Sequence, residues 1–211
     1  LLAMSEATSK HPSTLARIKS RMRIALLMSL QDSLGRPLRD LRISITDRCN
    51  FRCTYCMPRD KFGPGHTFLE KDEILSYEEM AKVVASLLPL GLAKVRITGG
   101  EPLLRRDVDV LLRLLRDLDP ELDIAMTTNG VLLHRHAEML LKSGLSRITV
   151  SLDAVEEELF RTITDSKNTP TQIFEGIDLA QKIGLPVKVN CVVKKGVNES
   201  QIVPLRKLCM E

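Results

Sequence analysis

From residue 40 onward, short runs of alternating apolar and polar residues take turns with longer stretches whose apolar residues recur every three or four positions. Alternation of period two marks a strand with two unlike faces, and the longer spacing marks a helix with one apolar side. Ser76 and Glu79 form a capping box ahead of Met80, Val83, Val84, Leu87 and Leu88, a helical stripe that stops at Pro89 and Gly91. A strand is predicted over 94–98. Asp107 is expected to cap a helix carrying Val110, Leu111, Leu114, Leu115 and Leu118, and a strand over 124–128 follows. Residues 132–143 read as a helix closed by Gly144, and 147–152 as a strand. Ile173, Phe174, Ile177, Ala180 and Ile183 stripe one more helix, ended by Gly184, before a strand over 187–193. Repeated strand-helix units imply parallel strands joined by right-handed crossovers.

Strands buried on both faces read as continuous apolar runs, yet four of these five alternate. Leu41, Ile43 and Ile45 oppose Arg42, Ser44 and Thr46; Lys94, Arg96 and Thr98 share one side of the second strand. Arg147, Thr149, Ser151 and Asp153 oppose Ile148, Val150 and Leu152, and Lys188 and Asn190 oppose Val189 and Cys191. The third strand is less clean, with Ala125 and Thr127 against Ile124 and Met126. Helical crossovers cover the apolar side, so the polar side is either simply solvated or lines a wet lumen. A sheet curled into an incomplete (β/α) barrel would hold a polar ligand there, under the loops at the strand C-terminal ends.

Composition narrows the picture. A chain of 211 residues that is 44% hydrophobic can bury one substantial core, and no apolar run reaches membrane-spanning length. Residues 1–48 carry nine Lys/Arg against four Asp/Glu, while the remainder is nearly balanced, which argues against a nucleic-acid surface. Two domains are expected: a basic, disordered extension over 1–30, whose Ser- and Arg-rich composition is also that of an organelle leader, and a folded unit over 31–211. Five cysteines, an odd count without a secretory pattern, fit a reducing cytoplasm better than disulfides.

Three of those cysteines, Cys49, Cys53 and Cys56, fall within eight residues after the first strand. Thiolates bind soft metals and iron-sulfur clusters, and three close sulfurs without an evident fourth leave one coordination position open. A structural zinc site remains the alternative, closed by Cys191, Cys209 or His66. No phosphate-binding Gly-x-x-x-x-Gly-Lys-Ser/Thr loop is present.

The pattern Cys-x-x-x-Cys-x-aromatic-Cys, following 40–48, resembles that of the radical S-adenosylmethionine (SAM) enzymes. Together with Arg96-Ile97-Thr98-Gly99-Gly100-Glu101-Pro102-Leu103, Thr127-Thr128-Asn129-Gly130 and Ser151-Leu152-Asp153, it resembles their GTP 3′,8-cyclase family, which opens molybdenum cofactor biosynthesis. The likeness runs from about Ser33 to the last residue. It implies a partial (β/α) barrel, truncated here at the C-terminus, in which Cys49, Cys53 and Cys56 hold a 4Fe-4S cluster. SAM would chelate the remaining iron and contact Tyr55, Gly100 and Ser151. GTP would contact Arg42, Arg96, Thr127 and Lys188. The resemblance assigns no catalytic residue beyond the cluster and the SAM-derived radical, which takes hydrogen from the ribose C3′ and leads to 3′,8-cyclo-7,8-dihydro-GTP. It implies an electron donor it does not identify, and a downstream cyclic pyranopterin monophosphate synthase. Neither a nucleic acid nor a membrane is expected as a partner.

The chain departs from the family's pattern in one respect. Three further cysteines that hold a second 4Fe-4S cluster against the guanine have no counterpart, since Cys191 and Cys209 stand 18 apart without a third neighbour. Two other functions stay open: another radical SAM enzyme, such as a peptide-modifying maturase, and a non-enzymatic zinc-binding module.

Overall fold

The computed structural model describes residues 30–210. The extension expected over 1–30 therefore lies outside the described residues except for Leu30. Five strands, β1 (Asp40–Ser44), β2 (Lys94–Thr98), β3 (Asp123–Thr128), β4 (Arg147–Ser151) and β5 (Val187–Asn190), make one parallel sheet in the order 1-2-3-4-5. Between them run α1 (Tyr77–Leu87), α2 (Val108–Leu118), α3 (Leu133–Lys142), α4 (Glu157–Thr164) and α5 (Pro170–Lys182), and α6 (Ile202–Leu208) follows β5. Each strand lies beside its predecessor and the sheet never reverses direction. With crossovers of one hand, every helix then lands on the same face. Among the described residues no helix is long and apolar enough to cross a membrane.

The covered face is the core. Val95, Ile97, Ile124, Met126, Ile148 and Val150 point into it, and Val84, Leu111, Leu112, Leu115, Leu140 and Ile173 meet them from the helices, all fully buried. The helix starts and stops follow the sequence where local chemistry dictates them. Ser76 accepts from the Glu79 amide, and the Glu79 carboxylate accepts from the Ser76 amide, which completes the capping box of α1. Gly91, Gly144 and Gly184 take positive φ after helical segments, where a Cβ would be strained.

Four expectations change. Asp107 precedes α2 but caps nothing: its backbone is left-handed, φ 56°, and its side chain makes no cap bond. β5 stops at Asn190, because the Val192 amide leaves the ladder for the Asp153 carboxylate. Besides a single helical turn at Arg59–Phe62, two helices emerge that the periodicity did not single out. α4 has no side-chain cap at Glu156, and α6 contains Pro204 in its first turn, where a missing N–H is tolerated.

The register converts alternation into rows on the uncovered face. Asp40 faces Lys94, which faces Asp123; Arg42 faces Arg96, which faces Ala125, which faces Arg147. Further along the strands Ser44 faces Thr98, and Thr127, Thr149 and Lys188 form a line that Ser151 and Asn190 extend by one step.

Candidate active site

The polar face divides by charge. Lys94 pairs with Asp40 at 3.3 Å and Arg147 with Asp123 at 2.5 Å, closing the N-terminal end of the sheet with ion pairs. Arg42 and Arg96 sit one step above, on neighbouring strands, and among the described residues neither side chain makes a hydrogen bond or ion pair; nor does that of Lys188. Among the described residues neither Asp47 nor Glu101 pairs with these arginines. Asp47 Oδ2 accepts from the Leu69 amide at 2.7 Å, and Glu101 is committed elsewhere. Adjacent strands lie about 4.8 Å apart, so two uncompensated guanidiniums side by side repel and favour an anion between them. Thr127 is half-buried in the next row, opposite Thr149 and in line with Lys188.

Above these rows the cysteine loop crosses the C-terminal ends of the strands, fastened from three sides. The Gly100 amide donates to Thr46 O at 2.7 Å and the Glu101 amide to Arg48 O at 2.8 Å, tying the loop's first residues to the end of β2. A Cβ on Gly100 would meet Arg48 O at 2.3 Å and one on Gly99 would meet Thr46 O at 2.6 Å. The two glycines therefore serve a close approach of backbone to the cysteine loop itself, a use that the sequence leaves unspecified. On a second side the Arg52 and Thr54 amides donate to Thr164 O and Ile163 O at the end of α4. Arg59 and Asp165 add an ion pair beside this seam.

The third side is a polar chain through the core. Glu101 is 1% exposed; its Oε1 accepts from Thr128 Oγ1 at 2.7 Å and the Leu103 amide, and its Oε2 from the Asn129 amide at 2.7 Å. Burial pushes its acidity down, towards the neutral form, against these three donors. Asn129 passes the connection on, donating from Nδ2 to Asn50 Oδ1 at 2.7 Å and making a long contact of 3.9 Å to Cys49 Sγ. Glu101 and Asn129 thus join two strand ends to the cysteines. Both stand in motifs already noted, but their partners lie 27 to 80 residues away, and no local signal predicts such bonds.

Tyr55, between the second and third cysteines, is nearly half exposed, yet its hydroxyl donates to Asp153 Oδ2 at 2.6 Å. Burial, and then this carboxylate, push the phenol far above its usual value. The Ser151 side chain, at the end of β4, makes no hydrogen bond among the described residues and stays half-buried two positions before Asp153.

The three thiols suit a metal in kind. Burial, followed by the charges of Cys49, Asp153 and Cys56, pushes Cys53 up to about 12; burial also raises Cys49. Thiols so placed ionise together only around a positive centre, as ligation to iron provides. Among the described residues no group of three His, Cys, Asp or Glu side chains is gathered at metal-binding spacing, the loop cysteines included. The residues proposed to close a zinc site are placed elsewhere. His66 meets the rings of Phe62 and Phe68 in tilted and edge-on contacts, Cys191 lies against Asp153 O and Asn198, and Cys209 is exposed beyond α6.

Comparison with known proteins agrees with this geometry. GTP 3′,8-cyclases of Staphylococcus aureus strains JH9 and Newman are 52% identical to the chain over 180 residues, 85% of its length. The chain spans about half, 53%, of theirs. A crystal structure of Streptococcus suis SuiB bound to S-adenosylmethionine superposes with a TM-score of 0.67 at 22% identity, over 82% of this chain and 38% of that one. Coproporphyrinogen III oxidase (HemN) from Escherichia coli, a radical SAM enzyme, gives 0.56 at 15% identity over 93% and 45%. At such identities the shared feature is the fold. The family model described as the radical SAM superfamily matches residues 43–209, from the first strand through the cysteine loop to the last helix, and the chain belongs to that superfamily.

Proposed function

We propose that residues 31–211 form one radical SAM partial barrel that acts as the SAM- and GTP-phosphate-binding part of a GTP 3′,8-cyclase. Three cations whose side chains have no partner among the described residues, Arg42, Arg96 and Lys188 on the uncovered face, carry the reading. They suit a triphosphate: two planar forks and a point charge, set over a floor where the other cations are already neutralised. Thr127 supplies a hydroxyl in the same space. A peptide-modifying relative would have no use for this set.

In this reading Cys49, Cys53 and Cys56 hold a 4Fe-4S cluster, which supplies the electron that releases a carbon radical from SAM. Tyr55, Gly100 and Ser151 hold SAM, and the rows of β1, β2, β3 and β5 set the nucleotide below it. The chain's own contribution is positioning: the ribose C3′ must lie within reach of the radical, and small misplacements cost large factors in rate. The lumen keeps competing water away from the radical only when it is filled. Nothing among the five cysteines provides a second cluster for the guanine, so we assign that anchor to sequence outside these 211 residues. The product would pass to a cyclic pyranopterin monophosphate synthase.

Anaerobic reconstitution tests the assignment. One 4Fe-4S cluster per chain is expected, and with dithionite and SAM slow formation of 5′-deoxyadenosine, with little cyclised GTP. Stoichiometric zinc in place of iron would overturn the cluster. Cyclised GTP in yield equal to 5′-deoxyadenosine would overturn the division of labour.

A further inference from the structure

Asp153 makes contacts that the proposed function leaves unused. It is 6% exposed and meets no cation among the described residues, yet both carboxylate oxygens and its carbonyl are engaged. Oδ2 accepts from Tyr55 in the cysteine loop at 2.6 Å, and Oδ1 accepts from the Val192 amide, just beyond β5, at 2.8 Å. Its carbonyl accepts from Asn198 Nδ2 at 2.8 Å, and Asn198, 1% exposed, also donates to Val192 O and accepts from the Lys194 amide. One side chain therefore ends on the loop between two cysteines and on the exit of the strand that carries Lys188.

We propose that Asp153 is a positioning residue that fixes the Tyr55 ring for SAM and ties that position to the end of β5. Tyr55 is nearly half exposed, so packing alone leaves its ring free to swing about its side-chain bonds. A short bond to a buried carboxylate removes that freedom, and a carboxylate held in turn by a backbone amide cannot follow the ring outward. Preorganisation of this kind spares the ligand an ordering cost on binding. The inference rests on the SAM reading above, but the contact can be tested without it.

The chain has no Trp and two Tyr, so Tyr77→Phe leaves Tyr55 as its sole tyrosine emitter. A carboxylate bonded to the phenol quenches emission. In that background, metal-free Asp153→Asn and Asp153→Ala should both be brighter than the parent. Asparagine retains an oxygen for the Val192 amide and turns its NH2 to the phenol oxygen, which keeps the ring in place. Reconstituted Asp153→Asn should thus bind SAM as tightly as the parent, whereas Asp153→Ala should bind about tenfold more weakly at unchanged iron content, the loss of a charge-assisted hydrogen bond. A merely structural role would lower thermal stability or iron content and leave SAM affinity equal in the three proteins; that result, or unchanged emission, overturns the proposal. Failure of the parent itself to bind SAM overturns the proposed function and the ligand half of this one, while emission still decides the Tyr55 contact.

Discussion

The two faces of the sheet obey different rules. On the covered face every large side chain is packed against helices, and Ile97, Leu111 and Ile148 are sealed from solvent. On the other face the cations split, with Lys94 and Arg147 paired while the side chains of Arg42, Arg96 and Lys188 have no partner among the described residues. Stability is concentrated on the first face and unspent hydrogen-bonding capacity on the second. A fold that held both on one surface would have to trade packing against binding.

Substitutions should separate the two faces. Leu111→Ala, at a fully buried site of α2, should destabilise the chain by about 2–5 kcal/mol in denaturant melts, with any GTP affinity retained wherever the protein remains folded. Arg96→Ala should do the reverse, weakening GTP binding by about 1.5–3 kcal/mol in calorimetry with the melting curve nearly unmoved. Equal GTP affinity in that variant would end the distinction between the faces. Gly100→Ala probes the seam above both: its Cβ would strike Arg48 O, so a backbone shift costing about 1–3 kcal/mol should accompany reduced cluster iron. Ser76→Ala, at the outer cap of α1, should cost about 0.5–2 kcal/mol and leave iron and nucleotide binding alone.

How much of this was legible in advance follows the range of the interactions. Alternation, less clean in the third strand, disclosed four of the five strands and the polar face, since the side chain of each strand residue is assigned to a side by its neighbours alone. It overran β5 by three residues because Val192 and Val193 continue the apolar tone after the ladder has ended. α4 was readable from Leu159, Phe160 and Ile163, but without a capping residue its start had no marker. The cysteine spacing raised the expectation of a soft-metal loop, and the residues of that expectation could be named from sequence because all three lie within eight positions. What holds that loop was hidden: Glu101 to Asn129, Asn129 to Asn50 and Tyr55 to Asp153 join residues up to 98 apart, and only the folded sheet brings them together. The glycines of 99–100 stood out only as part of a motif, and their close approach to the cysteine loop needed the folded chain.

That last separation has a consequence in time. The cysteines leave the ribosome early, and Asp153, the far end of the Tyr55 tether, follows 98 residues later. At a synthesis rate of about 5–20 residues per second, the loop spends roughly 5–20 s outside the ribosome before its final fastening can form. Because each strand pairs with the one made just before it, the sheet can grow underneath during that interval. Newborn chains thus pass through a stage in which the cysteine loop already stands on a partly built sheet but is not yet held by its Asp153 tether.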